Sequence, residues 1–223
     1  MLDWSPIILT LQLALITTVI LFVISIPLAY WMANTKSRIK PIIEAIVSLP
    51  LVLPPTVLGF YLLIAFSPES AIGSFLNDVF GLKLAFSFTG LVIGSTIYSL
   101  PFMVQPLQAG FASLPSSFSE ASFVLGKSKY QTITKVLIPN IKKSILTGIV
   151  LTFAHTVGEF GVVLMIGGNI PNQTKVVSIA IYDEVESLNY STAHIYSGVL
   201  LTVTFAILLL VYINNNSSNK FSR

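Results

Sequence analysis

Cysteine is absent from this 223-residue chain, and charge is scarce. Without cysteine there can be no disulfide, no thiolate metal ligand and no Cys nucleophile, although its absence says little about compartment. Asp, Glu, Lys and Arg make up only 9% of the residues, against about 25% in water-soluble domains, which excludes a soluble globule. Histidine occurs twice, at His155 and His194, too few without companion ligands to build a zinc centre. Glu159 is the only acid deep in an apolar stretch, so a membrane-embedded enzyme would lack paired carboxylates or clustered nucleophiles. The apolar runs also lack period-2 alternation and are too long for barrel strands.

What is present is oil in long blocks. The chain is 54% hydrophobic with a mean hydropathy of +0.84. No Asp, Glu, Lys or Arg occurs in 4–35, 84–119 or 187–219. A spanning helix takes roughly 20 apolar residues, and five such spans fit, at about 9–32, 46–66, 86–108, 144–166 and 195–213. The fold class expected is all-α: a polytopic membrane protein embedded in a lipid bilayer, with one transmembrane domain over 7–213. The first stretch is too long for a signal-peptide core and has no basic segment before it, so it reads as a retained helix. The second contains Pro54 and Pro55 in "LPLVLPPTVLGF", tolerable in a bilayer where neighbours or water satisfy the freed carbonyls. The tail 214–223 is short and polar and is expected to be disordered.

Charge placement orients the chain. With the 33–45 loop, the 109–143 loop and the C-terminus in the cytoplasm, 10 of the 12 Lys and Arg lie inside, leaving Lys83 and Lys175 outside. The opposite topology would place 2 of 12 inside. The positive-inside rule therefore predicts an outer N-terminus and a cytoplasmic C-terminus. The same count explains the net charge of +3 without invoking nucleic acid.

The 109–143 loop contains Gly126-Lys127-Ser128, the closing triplet of a phosphate-binding loop. That loop needs a glycine five residues earlier, after a strand; Ala121 stands there, in a helical context, so a nucleotide site is rejected. Ser117 and Glu120 have capping-box spacing and predict a helix starting near 118. Ala121, Val124 and Leu125 fall on one face of it. Gly126 breaks the helix, and a second short one, with Ile133, Val136 and Leu137 on one side, runs to Pro139. Two short amphipathic helices at the membrane surface make a knob for a partner's groove. The bland alternative is a solvated basic connector.

Here the chain resembles a family. Glu120-Ala121-Ser122, Gly126 and Val136-Leu137-Ile138-Pro139 are similar to the cytoplasmic-loop signature of ABC importer permeases of the binding-protein-dependent type. The third position is Ser where Ala is commoner, and Val136 and Ile138 replace the commoner Ile and Leu. The resemblance implies that Glu120, Ala121, Ser122, Gly126 and Pro139 belong to helices that dock into a separate cytoplasmic ATPase subunit, with Gly126 at the bend.

Glu159 lies within the fourth expected span, and His155 is four residues earlier on the same helical face. An ionisable group at that depth costs at least a few kcal/mol and usually faces a cavity or a partner. Three readings stay open: a buried structural His–Glu pair, a proton-relay or metal site, and a residue near a translocation pathway or gate. The flanking Gly158 and Gly161 favour the third, since they permit close helix approach. "GEFG" at 158–161 followed by "GGNIPNQTKVVSIAIYD", together with "LPLVLPPTVLGFYLL" at 49–63, resembles the molybdate permeases of the ABC superfamily. The sulfate permeases are close relatives that usually carry Tyr at the place of Phe160.

That resemblance implies a bacterial or archaeal plasma-membrane permease for molybdate, with sulfate or tungstate as alternatives. It implies a homodimer, an extracytoplasmic oxyanion-binding protein as a further partner, no cofactor, and no catalysis by this chain. Pro54, Pro55, His155, Gly158, Glu159, Phe160 and Gly161 are the candidates for pathway or gate. The rival of another class is a channel or ion-coupled transporter, which would need no docking knob and often carries inverted repeats; none is evident.

Overall fold

The computed structural model describes residues 2–217, and these are helical throughout their regular structure. In chain order the helices are α1 (Ser5–Asn34), α2 (Lys40–Val52), α3 (Pro55–Phe66), α4 (Ala71–Phe80), α5 (Phe88–Ala112), α6 (Ser117–Val124) and α7 (Lys129–Thr132). A π-helical turn over Ile133–Leu137 leads into α8 (Ile138–Asn140), followed by α9 (Lys142–Val157), α10 (Gly161–Gly167), α11 (Val177–Glu186) and α12 (Tyr190–Ser217). Three of them, α1, α5 and the 190–209 part of α12, are individually long and apolar enough to cross a membrane. Two further candidates qualify only as bent pairs: α2 with α3, bent by 113°, and the Lys129–Asn140 segment with α9, bent by 75°.

The second expected span is thus not one helix. Pro54 drives the residue before it out of the α region, and Leu53 is extended at φ −70°, ψ 135°. Pro54 itself precedes Pro55 and is held at φ −54°, ψ 137°. Two successive residues are barred from helix, so the chain turns before α3 begins at Pro55. A single proline, by contrast, is absorbed: Pro27 lies inside α1, and Pro101 and Pro106 lie inside α5.

α1, α5 and α9 form the centre of the bundle. The buried stripe of α1 is Thr10, Ala14, Thr17, Leu21, Ser25, Ala29 and Met32, mostly small residues at steps of three and four, which is how helices approach closely in lipid. The hydroxyls of Thr10 and Thr18 donate to carbonyls one turn back, at 2.7 Å each, and so stay satisfied. The opposite side of α1 exposes Ile8, Leu15, Val19 and Val23, as expected of a surface solvated by acyl chains.

The apolar interior divides between two ends. One cluster gathers Met32, Val47, Leu107, Phe111, Leu137 and Ile141 where the 117–140 segment attaches. The other gathers Leu13, Phe66, Leu84, Leu91, Val162, Ile166 and Ile179 at the far end. α12 packs sparingly and leaves Leu201, Phe205 and Tyr212 exposed. It also continues to Ser217, into the stretch expected to be disordered from 214; residues 218–223 of that stretch lie outside the described residues.

Candidate functional site

The fourth expected span, 144–166, is interrupted, and its break carries the intramembrane acid. α9 closes at Gly158, with φ −87° and ψ 0°, and α10 starts at Gly161. Glu159 and Phe160 form the linker, with Phe160 at φ −127°, ψ −60°. Glu159 is nevertheless only 4% exposed. Its Oε2 accepts a hydrogen bond of 2.7 Å from the Ser95 hydroxyl of α5, and its backbone carbonyl accepts one of 2.6 Å from the Ser178 hydroxyl of α11. The break is therefore stitched to two other helices at a single residue.

The His–Glu pair, one of the three readings left open, does not form. Because α9 ends at Val157, Glu159 leaves the helical face that would place it one turn beyond His155. Each side chain finds its own serine on α5 instead. His155 Nδ1 lies 3.0 Å from Ser99 Oγ, four residues along from Ser95, and Ser99 Oγ also lies 3.0 Å from Thr156 Oγ1. The imidazole stacks on Phe102, with ring centroids 3.9 Å apart, and sits 4.8 Å from the Tyr98 ring. Among the described residues no group of three His, Cys, Asp or Glu converges as a metal site would require.

A cavity of about 580 Å³ opens at the break. Six sequence candidates line it: Pro55, His155, Gly158, Glu159, Phe160 and Gly161. The seventh, Pro54, is the residue that caps α3 and stands next to it. Gly161 is needed for close approach, since a Cβ there would lie 2.7 Å from the Pro55 Cβ. The two broken spans thus meet at their breaks, Pro55 on one side and Gly161 on the other. Glu159 Oε1, buried beside this cavity, has no hydrogen-bond partner among the described residues.

Sequence reasoning missed Ser95, Tyr98, Ser99 and Ser178. A signal was there: Ser95 and Ser99 are small polar residues one turn apart in a charge-free span, a spacing suited to bonding across helices. Nothing in the sequence pairs them with residues some 60 positions away.

The 117–140 segment makes a different kind of site. α6 and α7 form the expected two-helix knob, and its tip is exposed: Val124 is 87% and Leu125 76% exposed. The expected capping box at Ser117 and Glu120 is not made. Pro115 opens a turn there, the amides of Ser119 and Glu120 bond to the Ser116 carbonyl, and no side chain caps the helix. Glu120 stays exposed in the first turn, where a negative charge suits the helix dipole.

Gly126 takes φ +73°, and its amide and that of Lys127 bond back to the carbonyls of Phe123 and Ser122, a Schellman closure. A Cβ at Gly126 would touch nothing, so conformation rather than space selects glycine. Ser128, the last residue of the misleading triplet, caps α7: its hydroxyl accepts from the Gln131 amide, and the Gln131 side chain accepts from the Ser128 amide. Ser122, 4% exposed, holds the two helices together through a 2.9 Å contact with the Thr132 hydroxyl. Leu137 is buried and Ile133 and Val136 pack beside it, which anchors the knob to the bundle, while Pro139 is exposed. The knob and the break share no residue.

A family model described as "Binding-protein-dependent transport system inner membrane component" matches residues 25–217. The chain is 47% identical over 220 residues to the molybdenum transport system permease protein ModB of Azotobacter vinelandii, covering 98% of this chain and 95% of that one. It is 32% identical to the putative molybdenum transport system permease protein YvgM of Bacillus subtilis, covering 97% and 94%. It is also 35% identical to the sulfate transport system permease protein CysT of a Synechocystis strain, covering 77% and 60%. Among solved structures, a bacterial ABC transporter that imports alginate superposes with a TM-score of 0.74 at 19% identity, covering 98% of this chain and 79% of that one. The MetNI methionine ABC transporter superposes with a TM-score of 0.72 at 16% identity, covering 95% and 94%. These two structural likenesses speak to the fold.

Proposed function

Because this chain belongs to the inner-membrane components of binding-protein-dependent transport systems, we propose that it is the permease subunit of an ATP-driven importer of molybdate. The observation that carries the substrate is the 47% identity along almost the whole chain to a molybdenum transport permease. Sulfate is the second reading, favoured by the 35% identity to a sulfate permease.

Molybdate is a divalent oxyanion. Transfer of a bare charge into hydrocarbon costs tens of kcal/mol by Born estimates, so the route must be polar and gated. The break at 158–160 offers such a place. It brings the side chains of Thr56, Tyr98 and His155 to one cavity with Glu159, whose Oε1 has no hydrogen-bond partner among the described residues, where the two interrupted spans meet. His155, Gly158, Glu159, Phe160 and Gly161 with Pro54 and Pro55 border the pathway or its gate in this proposal. Few cations line it, so tight selection of the anion falls to an extracytoplasmic binding protein.

Topology and partners follow from charge and exposure. The N-terminus lies outside and the C-terminus inside, which puts the knob in the cytoplasm. Val124 and Leu125, exposed on a tip closed by Gly126, are shaped for a groove on a separate ATPase subunit. Glu120, Ala121, Ser122 and Pro139 shape the surface around them. Five candidate spans are few to enclose a pore, and two copies about a two-fold axis would supply one pathway between them. Glu184 and Glu186 form an acidic outer edge that can pair with basic residues on the delivery protein, while Asp183 beside them is taken up by Lys175 and Asn169.

Uptake of labelled molybdate by molybdenum-starved cells carrying this gene tests the proposal, with sulfate and tungstate as competitors. Molybdate uptake that sulfate leaves unchanged supports it. Competition by sulfate as effective as that by unlabelled molybdate sinks the substrate assignment. Purification without any ATPase subunit attached sinks the importer assignment in favour of a channel or ion-coupled transporter.

A further inference from the structure

A groove of about 620 Å³ lies between the last turns of α1 and the α7–α8 segment, and it shares no lining residue with the cavity at Glu159. It starts at Ile26 and Pro27, well inside the first span, and ends at Asn34 and Thr35, where α1 stops. At 1.5 Å rise per residue this is about 14 Å along the helix. Ile133 and Ile138 face the deep part from the other side, so that end is apolar on both walls.

The shallow end is built differently. Tyr30, Trp31 and Tyr130 line it, the residue types that settle at a membrane–water boundary. Lys129 reaches in, its Nζ 5.8 Å from the centre of the Tyr30 ring, and none of the ion pairs among the described residues involves it. A groove that is apolar inside the span, aromatic at the boundary and cationic at its mouth has the polarity profile of one phospholipid, inverted in charge. Ile26 lies about two turns inside the end of the first apolar helix, so the deep walls suit an acyl chain better than a water-soluble partner.

We propose that the α1–α7 groove binds an anionic phospholipid, with an acyl chain along Ile26, Pro27, Ile133 and Ile138 and the headgroup phosphate at Lys129. The bound lipid wedges the segment that carries the knob against the end of α1. The leaflet involved, the cytoplasmic one, rests on the topology proposed above; the lipid class does not.

The absence of cysteine makes the test clean. Thr134, on the groove wall, is changed to Cys in the full chain, purified with whatever subunits accompany it, and labelled with a benzophenone maleimide. The protein is then illuminated in vesicles of mixed phosphatidylglycerol and phosphatidylethanolamine, and adducts are identified by mass spectrometry. Phosphatidylglycerol adducts are expected in excess. Lys129→Gln should lower that excess about fivefold, the effect of one lysine at an anionic surface, and Ile133→Trp, which fills the groove, should reduce adducts of both lipids. Equal labelling of the two lipids by the parent chain overturns the proposal, as does a preference that survives Lys129→Gln. Loss of the adducts to millimolar inorganic phosphate would point to a free anion instead. Adducts to an accompanying ATPase subunit or to a second copy of this chain would give the groove to protein. Molybdate uptake is not read here, so either result leaves the substrate assignment standing.

Discussion

The knob at 117–140 and the break at 158–160 both depart from regular membrane helix, and they do so in opposite ways. The knob carries Val124 and Leu125 outward at its tip, and satisfies its backbone through Gly126, Ser128 and Gln131 within a few residues. The break is buried, carries the one acid in a span, and is held by Ser95 and Ser178 from distant helices, with Glu159 Oε1 left unpartnered among the described residues. An exposed surface segment can be completed locally. A polar interruption inside the bilayer must be completed by other parts of the fold or by the cavity it lines, because lipid offers no partner.

The largest effect is expected at the knob. Gly126→Glu should bring uptake to background and strip the ATPase subunit from the purified permease. The strain of placing a side chain at φ +73° costs only about 1–2 kcal/mol, so the protein should still insert. Uptake and co-purification that both survive would remove the docking role from the knob.

At the break, stability and transport should fall together. Glu159→Ala leaves the buried Ser95 hydroxyl without its acceptor, at a cost of about 1–3 kcal/mol. Glu159→Gln keeps an acceptor and should retain most of the thermal stability in detergent. If the two variants melt alike, the Ser95 bond is not what secures the break. Next comes Gly161→Ala, whose methyl would press on Pro55; overpacking of this kind costs about 1–3 kcal/mol. In a Pro55→Gly chain, which lacks that Cβ, Gly161→Ala should cost clearly less melting temperature than in the parent, and an equal cost in both would separate the two broken spans.

The smallest effect on the permease itself is expected from Val124→Ser. Val124 is 87% exposed, so melting should shift by no more than about 0.5 kcal/mol while the ATPase subunit is held less tightly. A large drop in melting temperature would mean that the knob tip packs against the bundle after all.

Much of this was legible from residue types alone. Charge-free runs announced the spans because a bilayer tolerates little else, and Gly126 announced a bend because few other residues accept positive φ. The knob was readable since its contacts are short in sequence, although the box expected at Ser117 and Glu120 is not made and the one capping box found belongs to the second helix, at Ser128. The break was readable only as an anomaly, an acid flanked by glycines. That α9 stops at Val157, which separates Glu159 from His155, depends on bonds from Ser95 and Ser178, 64 and 19 residues away.

Composition and charge order by themselves determined a helical membrane protein, the place of its three long apolar helices, and the polar loop that carries the knob. These follow from solvation, which acts on each segment separately. Only the tertiary structure decided that two spans are broken, that Pro55 and Gly161 bring the breaks together, and which hydroxyls receive Glu159 and His155. Such choices depend on which backbone and side-chain groups meet across helices, and no single segment contains that information.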